Sequence, residues 1–432
     1  MRKLTDSADF ITAALKENNV LKYAFFVSET EKREFNLEHG SFSLFRSVLG
    51  NHCTITVYMD GRKGSTSGND ISEEGLKKLV EDAILAAQSA VPDPMQDIAP
   101  MQGSESFACG VREPDLDGLF ERTVELKETI EKDYPLIHVM LMMTSAGTTH
   151  GLYCNSNGTR FESTRGSYSV TFEYAAGDGE KTTGMDATGF ITDRLDTPFI
   201  ERCSIRKRLE ETVSRLSLID LGEKFTGTLV LTPDCAGQFI GMVVGNYISD
   251  GVILDGTSLW LSKLHKQVAS PSLSVALCPW DSRMVSPERW TSDGYKAEDV
   301  VLIDHGILNS FLIGLYVANK TGNDVTKNEG SGLIITPGDR SIDDIIAGID
   351  RGLIMGSFSG GNPGTNGDFS GVAKNAFLIE KGKIKGAVSE TMVSGNLGEM
   401  LMNIRGISKE TLDDGSSITP YIAADGIVIS GK

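Results

Sequence analysis

Long apolar runs, paired cysteines and an excess of basic residues are all missing from this sequence, and each absence excludes a class of protein. No stretch of about 18 consecutive apolar residues occurs, so no membrane-spanning helix is predicted. Residues 1–7 carry charge but no apolar segment, which predicts that no secretory signal peptide is present. The six cysteines are scattered and form no CxxC pair, which is typical of a reducing compartment. We therefore expect a cytoplasmic protein.

The charge balance argues against a nucleic-acid partner. The chain carries 41 Lys and Arg residues against 59 Asp and Glu residues, for a formal net charge of −18. Because proteins neutralise nucleic-acid phosphates with clustered basic side chains, this composition predicts no direct contact with nucleic acid. The hydrophobic content of 40% and the charged content of 23% are those of a globular protein, and we expect no membrane partner.

The motifs of the common hydrolases are absent as well. None of the six histidines belongs to an HExxH, an HxH or a closely spaced His/Cys pair, and no G-x-S-x-G sequence occurs. Cys235 is interpreted as a buried residue and not a nucleophile, because the residues around it are apolar. A stand-alone hydrolase with an unrelated site, built from His265, Asp250 or Asp255, is kept as an alternative.

The spacing of apolar residues predicts an α+β protein in which antiparallel β-meanders dominate and a few helices pack on them. We predict an N-terminal α+β domain at 1–222 and a β-rich C-terminal domain at 223–432. The first domain is divided into sub-units at 1–95 and 105–222 by a proline-rich linker. Four separate strands are predicted near its start, at Tyr23–Ser28, Glu34–Glu38, Ser41–Val48 and Cys53–Met59.

The stretch 231–250 predicts a helix around which the last third of the chain is organised. Thr232 can cap this helix and Pro233 suits its first position, where no N–H group is needed. Its apolar residues cover almost the whole circumference, which predicts burial on all sides. Gly241 and Gly245 predict close approach by another element, because a glycine inside a helix costs roughly 1 kcal/mol relative to alanine.

A second unusual stretch, 356–371, contains six glycines. Bare backbone of this kind can pair with an extended peptide or line a groove between subunits. An ordinary set of turns between two strands explains the same composition, and the two interpretations have equal weight. The candidate residues for contact with a peptide or a partner are Gly360, Gly361, Asn362, Asp368 and Phe369.

Several short segments, spread over essentially the whole chain, form a recognisable set. They are Asp60-Gly61-Arg62, Pro92-Asp93-Pro94, Asn155–Gly158, Gln267–Pro271, Val301–Gly306, Phe311–Gly322, Gly360–Pro363, Gly367–Ser370, Leu378–Ile384 and Gly395-Asn396-Leu397. Together they resemble the TldD/PmbA family. The chain is more similar to the PmbA (TldE) branch, which carries the label of a modulator of DNA gyrase, than to TldD.

The resemblance implies a comparison with zinc peptidases. TldD-type subunits look like zinc enzymes built on a His-Glu-x-x-x-His sequence within a helix, with a cysteine ligand late in the chain. Five-residue spacing of the histidines would need a local distortion of that helix. By alignment, the two histidines and the glutamate correspond to Gly241, Asn246 and Met242, and no cysteine follows Cys278. We therefore expect no catalytic residue, no metal and no cofactor in this chain, and zinc only in a TldD-like partner.

Three functions follow from these observations. The first is a non-catalytic, TldE-like subunit that pairs with a TldD-like zinc metallopeptidase and helps to process unfolded peptides. The second is a homodimeric regulatory or binding protein of the gyrase-modulator type, which acts through protein contacts. The third is the stand-alone hydrolase described above.

Overall fold

The protein has an α+β fold, which a computed structural model describes for residues 4–431. The α-helices are α1 (Leu4–Glu17), α2 (Glu73–Ser89), α3 (Leu116–Asp133), α4 (Ile205–Ser214), α5 (Pro233–Val243), α6 (Asp250–Leu254), α7 (Leu315–Thr321), α8 (Ile342–Ala347) and α9 (Leu397–Met402). A 3₁₀ turn at Phe199–Glu201 precedes α4, and a π-helical turn at Val244–Ile248 follows α5. Within the described residues, no helix is both long and apolar enough to cross a membrane.

The strands divide between two sheets. The first sheet contains β1 (Lys22–Glu38), β2 (Ser41–Met59), β3 (Arg62–Gly68), β4 (Ser104–Gly110), β5 (Ile137–Asn155), β6 (Arg160–Ala176) and β7 (Asp186–Thr192). The second sheet contains β8 (Phe225–Leu231), β9 (Val275–Leu277), β10 (Val300–Asp304), β11 (Ile307–Leu308), β12 (Leu333–Ile335), β13 (Arg351–Gly360), β14 (Asp368–Glu380), β15 (Lys383–Val388), β16 (Thr391–Asn396), β17 (Ile404–Asp413) and β18 (Ser417–Ser430).

The start of the first sheet differs from the sequence-based prediction. The four short strands expected between residues 23 and 59 are two long ones, β1 and β2, joined by a tight turn at His39-Gly40. The polar residues between the four predicted strands were interpreted as breaks between separate strands. They remain extended because β1 has a hydrogen-bonded neighbour on both sides, β2 and β5. Since β5 belongs to the second predicted sub-unit, the two sub-units share one continuous sheet.

The helices of this half pack on the sheet in two groups. The apolar faces of α1 and α2 pack against β1 and β2 around Phe25, Val27 and Ile55, all of which are at most 2% exposed. Further along the same sheet, α3 and α4 cover a second cluster that includes Phe172 and Tyr174. One sheet therefore carries two separate cores, and each of them includes residues of both predicted sub-units.

The second sheet closes on itself. The strands β18, β16, β14, β13 and β8 follow one another, and β18 also pairs with β8, which completes a ring of five strands. The remaining strands lie outside this ring. β12 and β17 pair with β18, β15 pairs with β14, and β9, β10 and β11 continue the sheet from β12. The main core of the protein lies between this sheet and α5.

Aromatic side chains of the segment between β9 and β10 contact the first sheet. The ring of Trp290 lies 5.7 Å from that of Phe161 and 6.4 Å from that of Phe26, both on the first sheet. An ion pair of 2.7 Å between Lys296 and Glu105 spans the same boundary. These contacts hold the second half of the chain against one face of the first sheet.

The packing of β3 on α2 gives a first testable prediction. A Cβ atom added at Gly64 would lie 2.2 Å from both the Ala83 carbonyl oxygen and the Ala87 nitrogen. Because both atoms are helix backbone, we expect Gly64→Ala to lower the free energy of unfolding by about 3 kcal/mol. Urea denaturation would measure this loss. Gly184→Ala is the control, since a Cβ there meets nothing within 4 Å, and equal stability of both variants would contradict the prediction.

Candidate functional site

The candidate site is the outer surface of α5, which follows β8 directly. Thr232 occupies the N-cap position and Pro233 the first turn, as the sequence predicted. The Thr232 hydroxyl does not cap the helix. It donates to the Gly356 carbonyl oxygen at 3.2 Å, while its N–H donates to the Met355 carbonyl oxygen at 3.1 Å. The start of the helix is thus fastened to β13.

The prediction that this helix is buried on all sides is wrong. Its core face is buried, but an opposite face formed by Asp234, Gln238, Gly241 and Gly245 is exposed. The apolar residues of the sequence pattern, which lie at 239, 240, 242, 243, 244, 247 and 248, leave one side of the helix to the glycines, and a glycine has no side chain that requires burial. The close approach predicted at Gly241 and Gly245 is also wrong, because a Cβ atom added at either position would meet nothing within 4 Å. The glycines make a bare, open helix surface.

Gln238 fastens the middle of α5 to the edge of β13. Its side-chain Nε2 donates to the Phe358 carbonyl oxygen at 3.1 Å, and its Oε1 accepts from the Phe358 N–H at 3.3 Å. This amide therefore occupies the hydrogen-bonding positions that a neighbouring strand would take. Gln238 was not among the predicted site residues, and its one signal in the sequence is a glutamine on an otherwise apolar helix.

Aromatic side chains pack between α5 and β13 on the core side of the contact made by Gln238. The ring of Phe239 lies 5.4 Å from that of Phe358 and 5.3 Å from that of Phe369, in edge-to-face geometry. Phe369 is only 4% exposed. This candidate for peptide contact is therefore a core residue, and its side chain supports the site from below.

The helix widens beyond Val243. The Ser249 N–H donates to the Val244 carbonyl oxygen at 2.9 Å, the five-residue step of a π turn. The widened segment contains Asn246, five residues after Gly241. Met242, between them, is partly buried and packs against the main core. These three residues offer no imidazole and no carboxylate, so this donor set does not fit a zinc ion.

The glycine-rich loop lies beside the π turn. Gly367 has a φ angle of +89°, and a Cβ there would approach the Tyr247 hydroxyl to 2.0 Å. The Asp368 carboxylate accepts from Asn366 Nδ2 at 2.7 Å and from Asn396 Nδ2 at 2.9 Å. These hydrogen bonds hold the pKa of Asp368 below its ordinary value. Asp368 thus shapes the loop, while Asn362 and Gly361 are exposed.

An open strand edge runs beside the bare helix surface. The outer side of β13 pairs with β8 only from Gly352 to Met355. Further along, at Phe358, the side chain of Gln238 forms the hydrogen bonds on this side instead of a strand. Backbone groups two residues apart on a strand point the same way, so those of Gly360 point outward like those of Phe358. Within residues 4–431, no hydrogen bond reaches them from that side. Thr232 contacts Gly356 and Gln238 contacts Phe358, so helix and strand run in the same direction, and Gly241 follows one turn after Gln238 on the exposed face.

The residues considered for an unrelated hydrolase site have other roles. Asp250 Oδ1 accepts from the Gly314 N–H at 2.9 Å, at the start of α7. The His265 N–H donates to the Leu308 carbonyl oxygen at 2.7 Å, and Asp255 is exposed. In the described part of the chain, no hydrogen bond or ion pair joins His265 to either aspartate. Cys235 is 1% exposed, and burial raises the pKa of its thiol to about 12, which confirms its interpretation as a buried residue.

Comparison with known proteins identifies the family. Residues 225–431 match the PmbA/TldA metallopeptidase C-terminal domain, and residues 23–87 match PmbA/TldA metallopeptidase domain 1. The chain belongs to the PmbA/TldD family. The resemblance found in the sequence is therefore confirmed.

Two PmbA/TldD relatives illustrate the match in sequence. The chain is 27% identical to the metalloprotease PmbA of Escherichia coli O157:H7 over 415 residues, which covers 92% of this chain and 87% of that one. It is 24% identical to the metalloprotease PmbA homolog of Haemophilus influenzae over 399 residues, with 88% and 85% covered.

Solved structures share the PmbA/TldD fold. A Bacteroides thetaiotaomicron protein that carries the name modulator of DNA gyrase superposes with a TM-score of 0.87 at 22% identity, with 99% of both chains covered. TldE from Thermococcus kodakarensis superposes with a TM-score of 0.82 at 21% identity, with 98% and 99% covered. At this identity the likeness establishes the fold. Among residues 4–431 no group of three or more His, Cys, Asp or Glu side chains is arranged to hold a metal ion.

The contact between Gln238 and β13 is directly testable. We expect Gln238→Ala to lower the free energy of unfolding by about 1–2 kcal/mol, because two hydrogen bonds to the Phe358 backbone are lost. Hydrogen exchange at the Phe358 amide should speed up more than exchange in the rest of β13. Gln88→Ala, on the exposed surface of α2, is the matched control and should change stability by less than about 0.5 kcal/mol. Unchanged hydrogen exchange at the Phe358 amide would contradict the two hydrogen bonds between Gln238 and the Phe358 backbone.

Asp293, a half-buried residue after β9, predicts a pH effect. Burial, reinforced by the charge of Asp250, raises the pKa of Asp293, although the Leu315 N–H donates to its Oδ2 at 2.7 Å. The folded protein then loses stability as pH rises from the ordinary value of 3.8 through the raised one. Asp293→Asn removes this loss, so the stability of the variant relative to the wild type should improve as the pH rises from below 3.8 to above it.

Urea denaturation across this pH range would measure the difference. The control is Asp255→Asn, an exposed change just after α6, which should alter stability by less than about 0.5 kcal/mol at each pH. A difference between Asp293→Asn and the wild type that does not vary with pH would contradict the prediction.

Proposed function

We propose that this chain is a non-catalytic, TldE-like subunit that pairs with a TldD-like zinc metallopeptidase and helps it to process unfolded peptides. The single observation that carries this proposal is the bare, exposed surface of α5. No His or Glu stands anywhere between Thr232 and Ser249, so the helix that would hold the zinc offers only Gly241, Met242 and Asn246 at the corresponding positions. Zinc and the catalytic glutamate would come from the partner subunit, in the cytoplasm.

The geometry beside α5 suits an extended peptide. The outward N–H and C=O groups of Gly360 can pair with a peptide strand. That strand would lie on the same side of β13 as the Gln238 side chain, which binds the Phe358 backbone. Gly361 has no atom within 4 Å of a Cβ position, so the backbone is accessible there. Gly241 and Gly245 leave room for the side chains of that peptide. Backbone pairing is tolerant of sequence, as processing of unfolded chains requires.

The homodimeric regulatory protein is the second candidate. It is favoured by exposed apolar side chains of β2 in the first sheet, among them Phe45 and Leu49, which lie in the other half of the chain from α5. Direct nucleic-acid contact has no support from a chain with a net charge of −18.

Co-expression with a TldD-like chain tests the proposal. We expect one particle that contains both chains, and cleavage of an unfolded peptide only when both are present. Zinc should be found at one ion for each pair and should be absent from this chain purified alone. Peptide cleavage or stoichiometric zinc in this chain alone would overturn the proposal.

A substitution on α5 separates peptide contact from pairing. Gly241→Trp adds a large side chain where nothing lies within 4 Å, so the fold should tolerate it. We expect cleavage by the pair to fall roughly tenfold, an energy of about 1.4 kcal/mol, while the two chains still co-purify. Gly184→Trp, at an equally open position in the loop after β6, is the matched control and should leave cleavage unchanged. Equal activity of the two variants would exclude a peptide path over α5.

A further inference from the structure

One loop in the second half of this acidic protein carries unpaired positive charge. Residues 256–267, here called the basic loop, contain no Asp or Glu and include Lys263, His265 and Lys266, while the whole chain has a net charge of −18. All three basic side chains are exposed. Within residues 4–431, no hydrogen bond or ion pair reaches any of these three side chains. The two lysines are therefore available to a ligand.

The elements that are hydrogen-bonded to the basic loop add little free negative charge. The π turn and β11 contain no Asp or Glu. Asp250 of α6 accepts from the Gly314 N–H at 2.9 Å, and Asp304, before β11, binds His305 Nδ1 at 2.7 Å. Asp255 directly precedes the loop and is exposed, so it offsets one positive charge at most.

Two leucines of the basic loop are exposed on either side of a buried tryptophan. Leu259 is 57% exposed and Leu261 is 41% exposed, whereas Trp260 between them is 6% exposed. The ring of Trp260 stacks on that of Tyr247 in the π turn, with 4.4 Å between the centroids. Ser258 Oγ donates to the Tyr247 carbonyl oxygen at 2.5 Å and accepts from the Trp260 N–H at 3.0 Å. Because the tryptophan is anchored inward, its two neighbours are held in solvent.

The basic part of the loop is fastened at both ends. The Lys263 N–H donates to the Trp260 carbonyl oxygen at 2.8 Å, which closes a turn next to the exposed leucines. The His265 N–H donates to the Leu308 carbonyl oxygen at 2.7 Å, and the Leu308 N–H donates to the Lys266 carbonyl oxygen at 3.0 Å. The loop is therefore ordered before any ligand arrives, so binding costs little conformational entropy of the backbone.

The basic loop lies at the C-terminal end of the bare α5 surface. Tyr247, to which Ser258 and Trp260 are attached, follows two residues after Gly245, the last glycine of that surface. A peptide that continues past Gly245 therefore comes next to the loop.

We propose that the basic loop binds peptide segments in which apolar residues stand next to acidic ones. The apolar side chains of the peptide pack on Leu259 and Leu261, and its carboxylates pair with Lys263 and Lys266. This inference rests on the proposed function, since it names the class of peptide that the pair of subunits prefers.

The chemistry of the basic loop favours a peptide over a lipid surface. A tryptophan that holds a protein at a membrane places its ring among the lipid headgroups, whereas the ring of Trp260 faces the core. An anionic membrane also repels a chain with a net charge of −18 over most of its surface. A short peptide meets only the loop and its surroundings, where the positive charge is unpaired.

Fluorescence polarisation with this chain alone tests the preference. Three labelled peptides carry Leu-Phe-Glu-Asp, Leu-Phe-Lys-Lys or Ser-Ser-Glu-Asp between identical Gly-Ser ends. We expect the first peptide to bind roughly tenfold more tightly than either of the others, because only it offers both kinds of contact. Its advantage over the lysine peptide should shrink as the salt concentration rises, since salt screens exposed charges. Equal binding of all three peptides would overturn the proposal.

Charge reversal tests the role of the lysines. The double variant Lys263→Glu, Lys266→Glu should prefer the Leu-Phe-Lys-Lys peptide, because both changed side chains are exposed and now attract cations. Loss of folding would abolish binding of both peptides and could not reverse a preference. Lys78→Glu, at an exposed position of α2, is the matched control and should keep the wild-type preference. A double variant that still prefers the acidic peptide would contradict the proposal.

Polar replacement tests the role of the leucines. The double variant Leu259→Ser, Leu261→Ser should bind the Leu-Phe-Glu-Asp peptide roughly tenfold more weakly, because the apolar contact is lost. Leu85→Ser, on the outer surface of α2, is the control, since that leucine is 61% exposed. Equal affinity of the double variant and the control would show that the leucines make no contact with the peptide.

Two further measurements separate this inference from its alternatives. Vesicles that contain phosphatidylserine should not bind the chain, and binding that the lysine variant abolishes would assign the basic loop to a lipid surface and overturn the proposal. Cleavage of the three peptides by the pair with a TldD-like chain should follow the order of their affinities. Cleavage without any preference would leave the proposed function standing and sink this inference, whereas failure of the proposed function would appear as cleavage without this chain.

Discussion

The orientation of α5 on the second sheet decides which surface the protein offers, and hydrogen bonds to β13 fix that orientation. Thr232 binds the Gly356 carbonyl and Gln238 binds both backbone groups of Phe358, so the helix lies along the strand like an additional neighbour. The aromatic contacts of Phe239 then determine which helix face is buried. With that face buried, the glycines must face outward. The bare surface, the open strand edge and the position of the π turn all follow from this one attachment.

The two open surfaces of the molecule differ in chemistry. The surface beside α5 is polar backbone with little side chain, which suits a peptide of variable sequence. On the first sheet, β3 covers the outer side of β2 only at Cys53–Met59, and the segment before it exposes Phe45 and Leu49, so this second surface is apolar. They lie on different sheets, so occupation of one leaves the other available. This separation is compatible with a subunit that holds a partner at one place and passes peptide at another.

The sequence predicted the candidate site in outline. Both stretches of the site, 356–371 and 231–250, were singled out in the sequence, and the N-cap position of the helix is correct. That the two lie side by side is shown by the structure alone. Phe369 was a candidate for peptide contact and is buried, because one sequence does not show which face of a strand meets a helix. Gln238 was missed for a related reason, because the residues next to a glutamine do not show which distant backbone groups its side chain will bind.

Local chemistry explains what the sequence determined by itself. Turn residues, capping residues and apolar spacing act over a few residues, so they predicted the α+β class and the helix that begins at Thr232 and Pro233. The sequence alone also shows that α5 carries no histidine or glutamate. Pairing partners act over hundreds of residues, and only the folded chain reveals them. The tertiary structure therefore decided that four short strands are two long ones, that two sub-units share a sheet, and that Gly241 faces solvent. In each case a long-range hydrogen bond or packing contact outweighed the local pattern.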